Sequence, residues 1–526
     1  MRGAFNLTPG FATWPRDAVF YHAYVRSFAD SNGDGNGDLA GMTAKLDYVR
    51  SLGVDGILLL PIFQDAYPIS GGYGTVDHGH IAADYGGDTA FAAFVAAAHA
   101  RGLSVMLDLS FTLVADQHPW FTAAQAAAAP ARAHFLVVPG PPCPTLLDMF
   151  GNNGWHAFPS GQCFFSDYAA VFPSLNQRDA ATAEAMRAAA EHWLGLGVDG
   201  FRLDSAASIA QVDPAHPTAP KDPSSAATHQ FWRAFMQRIK AARPSSFAVA
   251  ELFDHEADYY ADGIDMTFQY KIYFGLVDGW SGRGKALLSF AIDQQVRARP
   301  PGAMGGVFVG NHDVPGALVA PYGRLADVVC PLPCSDPTPL RSAAMLLFSL
   351  PGTPFVYYGE ELGLHGAASA DPSETKPWAR NPMPWDATAG HGFTTAAKPW
   401  APFATDPANV AAQSGRAGSM LETYRGLIAA RKTSPALRHG AYREVSTSLP
   451  DVFAFVREDP AERVLVVVSF SALTTTSTLN LAALGITTAA VHDRLFGSAL
   501  PAVTPSNAAA YPVALPARGA SWILLQ

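Results

Sequence analysis

The sequence predicts a (β/α)8 TIM barrel, interrupted by one inserted subdomain and followed by an antiparallel β-sandwich domain. Three observations carry this reading. From Ala18 to about Lys432, short near-continuous apolar runs alternate with helix-period stretches. Such runs mark strands buried on both faces, as parallel sheets with helices outside require. There are eight of them, the number that closes a barrel of strand–helix units. After Lys432 the pattern changes to the alternation of antiparallel hairpins.

In chain order the first three strands are read in AVFYHAYVRSF, GVDGILLLPIF and LSVMLDLSF. GVDGFRLD, FAVAELF, DMTFQY, GVFVGNHD and GTPFVYYGEE supply the other five. Between them lie amphipathic stretches such as DTAFAAFVAAAHARG and AEAMRAAAEHWLGLG, both ending at Gly, a frequent helix stop. After the third strand, the run from DQHPWF to VFPSLN is rich in Pro, Gly and aromatic residues. At about 60 residues it exceeds a plain loop, so a subdomain is expected there. The expected boundaries are 1–117 and 177–432 for the barrel, 118–176 for the insertion and 433–526 for the C-terminal domain. In that last domain DVFAFVRED, a turn at DPAE and RVLVVVSFS form a hairpin, and SWILLQ closes the chain.

A net charge of −10 and the lack of a basic block exclude nucleic acid as a partner. No apolar run is long enough to cross a membrane; the best, AAMLLFSLPGTPFVYYG, is broken by Pro351 and Pro354. The N-terminal stretch MRGAFNLTPGFATWP has no apolar core of a signal peptide. Four cysteines fall in two local pairs, Cys143 with Cys163 and Cys330 with Cys334, at no zinc spacing. As disulfides they would suit an extracellular or periplasmic protein; a cytoplasmic one with free thiols is the alternative. A monomer is expected. There is no P-loop and no G-x-S-x-G elbow, HEADY lacks the second His of a zinc-protease helix, and SGGYG is not placed as a dinucleotide-binding turn.

Barrel active sites form at the C-terminal strand ends. There the fourth strand carries Arg202 and Asp204, two apart and therefore on one face. The fifth ends at Glu251 and the seventh at His312 and Asp313. Carboxylates on adjacent strands start from backbones about 4.8 Å apart. That permits the separation of about 5–5.5 Å used by retaining glycosidases. The adjacent arginine is expected to keep Asp204 ionised as a nucleophile, and the apolar strand end to raise the pKa of Glu251 as a proton donor.

The stretch DSNGDGNGD, Asp30 to Asp38, has oxygen donors at every second residue. Asp30, Asn32, Asp34 and Gly35 fit an EF-hand loop, but its last position falls on Gly41 and a strand precedes it. It reads as an ion loop of another kind.

GVDGFRLD, AEL with Glu251 and FVGNHD resemble the short catalytic regions of glycoside hydrolase family 13, the α-amylase family. YHAYVRSFADSNGDGNGDLAGM resembles the first strand and ion loop of its oligo-1,6-glucosidase and neopullulanase-like branches, and FPSLN stands where the intermediary branch has Pro-x-Leu-Asn. LPGTPFVYYGEELGL, NPMPWD and GFTTAAKPW look like its eighth strand and barrel-closing segments. By this resemblance Asp204 matches the nucleophile, Glu251 the acid/base and Asp313 the transition-state stabiliser. Arg202 and His312 match residues holding the nucleophile and sugar hydroxyls, and Tyr73 matches the stacking aromatic. The resemblance also implies structural Ca2+ on the side chains of Asp30, Asn32, Asp34 and Asp38 and the carbonyl of Asn36.

Three departures concern the pocket walls. Thr112 and Leu113 stand where the family has Asn-His, Gly74 where it has an Asp, and Ala207 and Ser208 follow the nucleophile where amylases often carry basic residues. With all three acids retained, the expected activity is retaining hydrolysis of α-glucans such as starch or maltooligosaccharides. The missing acid at Gly74 is read as opening the cleft to longer chains. Glucanotransferase or trehalose-forming isomerase chemistry on the same scaffold, or a non-catalytic carbohydrate-binding role, are the alternatives.

Overall fold

The computed structural model describes residues 14–67, 71–126, 129–313, 324–332, 334–367, 379–404, 408–493 and 500–526. Eight parallel strands close into a barrel in sequential order. They are β1 (Phe20–Ala23), β2 (Gly56–Leu59), β3 (Ser104–Leu109), β4 (Gly200–Leu203), β5 (Phe247–Ala250), β6 (Met266–Phe268), β7 (Met304–Val307) and β8 (Thr353–Tyr357). Each falls within or beside an apolar run read from the sequence. Alternation along the strands sorts their side chains. Phe20, Leu58, Met106, Phe247, Val249 and Phe355 fill the barrel interior. Tyr21, Ile57, Leu59, Leu107, Phe201 and Leu203 belong to the larger core formed with the surrounding helices. Gly200 makes the inner packing possible, because a Cβ there would stand 2.7 Å from the Phe247 ring.

The helices bury the faces their periodicity predicts. In Ala180–Gly195 the buried Ala183, Met186, Ala190, Trp193 and Leu194 recur at three- and four-residue steps. Asp179 caps its start by accepting the Thr182 amide at 2.9 Å, and Gly197 (φ +102°) turns the chain after its end.

Between β3 and β4, strands Val137–Pro139, Trp155–Ala157 and Gln162–Phe165 form a three-stranded antiparallel sheet with the last in the middle. The Cys143–Cys163 disulfide ties its flank, and Cys330–Cys334 forms a second bridge. Beyond the barrel the chain builds antiparallel sheets of five and two strands. Val452, Val456, Leu465, Leu479, Tyr511 and Ile523, drawn from both, share one core. Among the described residues no helix is long and apolar enough to cross a membrane.

Candidate active site

Strand register decides which polar residues meet. Asp108 pairs with Arg202 across β3 and β4, and Arg202 with Val249 across β4 and β5. Two residues on, Asp204 takes the Leu109 carbonyl and Glu251 the Leu203 carbonyl, each at 2.9 Å, so the two acids stand side by side at the barrel mouth. Asp108, Arg202, Asp204 and Glu251 share the inward parity of Met106 and Val249.

One guanidinium organises the centre. Arg202, 1% exposed, donates from Nη1 to Asp108 Oδ2 at 2.5 Å, Asp204 Oδ1 at 3.0 Å and the Tyr73 hydroxyl at 2.9 Å. Its Nη2 stands 2.9 Å from Glu251 Oε2. That Glu251 oxygen also accepts the Ser205 amide at 3.0 Å, and Oε1 accepts the Tyr270 hydroxyl at 2.7 Å. Across the pocket, His312 Nε2 lies 2.7 Å from the Tyr73 hydroxyl and 3.0 Å from Asp313 Oδ2, and its ring stacks on Tyr73 at 5.8 Å. The structure thus brings all six expected catalytic and sugar-binding residues together.

Both pKa directions are opposite to those expected from the sequence. Burial pushes Asp204 well above the usual carboxylate range, with Arg202 opposing and Glu251 adding repulsion. Burial also acts to raise Glu251, but Arg202, the Ser205 amide and the Tyr270 hydroxyl outweigh it and lower its pKa. The sequence placed Arg202 beside Asp204 alone. In the fold Glu251 sits on the same guanidinium with two further donors, and these lower its pKa. Asp108 is pushed up to about 7 by burial, against the pull of Arg202. Burial lowers His312 to about 4, leaving it neutral at pH 7.

Several participants escaped the sequence reading. Asp108 is the first residue of the DLSF run, and its parity with Arg202 is the signal that could have found it. Tyr270 follows β6 and receives the Asn311 side-chain amide at 3.1 Å, a contact with no local signature. Arg380 is brought from 67 residues further along the chain to 3.6 Å from Asp313, with its side chain 2% exposed.

The wall departures are built into the packing. A Cβ on Gly74 would stand 2.5 Å from Asp65 Oδ1, 3.1 Å from Tyr67 and 3.2 Å from Phe172. Asp65, Tyr67 and Phe172 therefore occupy the space directly beside Gly74. Leu113 is buried and bridges Ser174, while the Thr112 carbonyl accepts the Leu175 amide at 2.9 Å. Ala207 and Ser208 lie in the short helix Ala206–Ile209, and Ser208 turns toward the insertion.

In the loop from Asp30 to Asp38, Asp30 accepts the amides of Asn32, Gly33 and Gly35 at 2.7–3.0 Å. Asn32 Oδ1 and Asp34 Oδ1 accept the amides two residues on. Asp38 caps the helix Leu39–Ala44 through Gly41 and holds Ser31. The buried Asn36 side-chain oxygen has no hydrogen-bond partner, which a cation would supply. Among the described residues no group of three or more Asp, Glu, His or Cys side chains is placed to hold a metal ion.

A family model described as the alpha-amylase catalytic domain matches residues 22–440. The chain belongs to the α-amylase family. Among curated members of the family, a probable alpha-glucosidase of Rhizobium meliloti is 31% identical over 510 residues, spanning 87% of this chain and 89% of that protein. The trehalose synthase/amylase TreS of Mycolicibacterium smegmatis is 29% identical, over 87% of this chain and 82% of its own. Among solved structures, the trehalulose synthase MutB of Pseudomonas mesoacidophila superposes with a TM-score of 0.83 at 25% identity, covering 98% of this chain and 99% of that one. The chain is a glycoside hydrolase of the α-amylase family.

Proposed function

We propose that the protein is a retaining α-glucosidase acting on short α-glucosides, with Asp204 as nucleophile and Glu251 as acid/base. The observation that carries this is the single Arg202 guanidinium bridging two carboxylates that stand side by side on adjacent strands. Asp204 attacks the anomeric carbon while Glu251 gives its proton to the departing glycosidic oxygen. Glu251 then takes a proton from water, whose oxygen displaces Asp204 from the glucosyl-enzyme and restores the starting anomeric configuration. This route uses the state with the proton on Glu251. The pH–rate profile therefore reports the Asp204–Glu251 pair rather than either residue. Asp313, His312 and Tyr73 are assigned to the sugar ring and its hydroxyls, with neutral His312 able to serve as donor or acceptor.

Short substrates are favoured over starch because the space beside Gly74 is filled. Transfer to a second sugar is the other reading, and the pocket rim favours it. Phe253 and Phe150 are 50% and 68% exposed, and each packs on a tyrosine that hydrogen-bonds the Glu251–Ser205 region. Such rings offer an acceptor sugar an apolar face. Calcium in the Asp30 loop rests on donor spacing and the unpartnered Asn36 oxygen. The proposed donors are the side chains of Asp30, Asn32, Asp34 and Asp38 with the Asn36 carbonyl, and the unpartnered Asn36 side-chain oxygen lies beside them as a further one. Two disulfides support an extracellular or periplasmic location.

The test follows products over time from maltose, trehalose, sucrose and maltoheptaose, beside Asp204→Asn and Glu251→Gln. Glucose released with retained configuration, and lost by at least about 10³-fold in both variants, is the expected result. New disaccharides formed at the same rate would establish transfer. Internal cleavage of maltoheptaose before any glucose appears would refute the short-substrate pocket.

A further inference from the structure

The chain that follows β4 makes a long excursion, 205–225, before the next helix Ala226–Ala242. It is laced to the insertion at several points. Val212 lies in the insertion's apolar core with Trp155, Cys163 and Phe165. The Trp155 indole donates to the Pro217 carbonyl at 2.9 Å. The charged tie is Lys221, whose ammonium pairs with Asp167 and sits 5.8 Å above the Phe165 ring. Asp167 is 4% exposed, and its Oδ2 also accepts Ser208 Oγ at 3.2 Å and Gln211 Nε2 at 2.6 Å.

The residue after Asp167 reaches the reacting groups. The Tyr168 hydroxyl hydrogen-bonds Ser205 Oγ at 2.5 Å. Ser205, next to Asp204, holds a left-handed backbone (φ +43°) that L side chains rarely adopt. In that conformation its amide points at Glu251 Oε2, 3.0 Å away. We infer that Lys221 is a positioning residue for this site, locking Asp167 between insertion and barrel so that Tyr168 holds the Ser205 amide on Glu251. The inference rests on the role given to Glu251 above.

The physical reason is the burial of Asp167. A carboxylate this enclosed stays charged only while paired, and burial already pushes its pKa up against Lys221. Without the ammonium, Asp167 takes a proton or turns toward water. Either change releases Ser208 and Gln211 and loosens Tyr168.

The test compares full-length Lys221→Met, Lys221→Ala and Lys221→Arg, assayed well below their melting temperatures. For Lys221→Met, kcat is expected to fall about tenfold or more with KM within about twofold. Amide exchange should speed up together at 165–168 and 205–208. Butylammonium added to Lys221→Ala should restore much of kcat while leaving the parent unchanged, and Lys221→Arg should retain more activity than Lys221→Met. A lowered melting temperature with unchanged kcat and no rescue by butylammonium would reduce Lys221 to a scaffold contact and overturn the inference. A parent enzyme that turns over no glucoside would refute the function proposed above. The exchange experiment would still decide: protection at 205–208 unchanged in Lys221→Met would overturn the positioning role by itself.

Discussion

Asp65 fills the space beside Gly74, and its ionisation makes a stability prediction that can be worked through. Its carboxyl accepts the Tyr67 amide at 2.7 Å, but Oδ2 is buried with no partner. Burial raises its pKa from 3.8 to about 6, against hydrogen bonds from Tyr67 and Gly72 and the charge of Arg26. An acid with a raised folded-state pKa contributes stability below its unfolded pKa and loses it as pH rises through the folded one. The window here runs from about pH 4 to about pH 6. At about 1.4 kcal/mol per unit, the full loss is about 3 kcal/mol. Asp65→Asn can keep the Tyr67 hydrogen bond and never ionises. Its stability relative to the parent should therefore climb with pH, reaching about half the full difference near pH 5 and nearly all of it by about pH 8. The assay is the gap in thermal or denaturant midpoint between variant and parent across that range. A gap that stays flat, or narrows with rising pH, would refute the argument that Asp65 is a buried, poorly compensated acid.

Gly74→Ala should cost about 1–3 kcal/mol by overpacking against Asp65, and shortening Asp65 to Ala in the same chain should recover most of it; additive losses would count against the filled wall. Phe253→Ala should raise KM for disaccharides several-fold and lower the ratio of transfer to hydrolysis, since about 1 kcal/mol of ring contact is removed; unchanged product ratios would remove the ring from the acceptor side. If the Asp30 loop holds calcium, the melting temperature should rise with Ca2+ and fall with a chelator in the parent but not in Asp30→Ala. Equal melting curves in both conditions would withdraw the metal.

Much of the molecule was legible because its chemistry is written at short range. Eight apolar runs with Gly-terminated helices between them leave few architectures other than a barrel. The parity of Arg202 and Asp204 holds along any strand, whatever surrounds it. Glu251, His312 and Asp313 were found because they stand directly at strand ends, where barrel sites form. Tyr270, Arg380 and the Lys221–Asp167 tie were not found, because each meets its partner only after remote segments pack. Tyr168 is likewise joined to Ser205 across 37 residues of chain.

The sequence by itself determined the barrel, its insertion and the identity of the charged residues at the mouth, since strand period and apolar burial are local properties. Only the tertiary structure decided how charge is shared among them. One Arg202 must serve Asp108, Asp204 and Glu251 at once, and the Ser205 and Tyr270 donors help lower the Glu251 pKa. It also decided that the space beside Gly74 is taken by side chains from other turns. Desolvation and packing volume depend on every neighbour in space, and neighbours in space are what a linear sequence does not list.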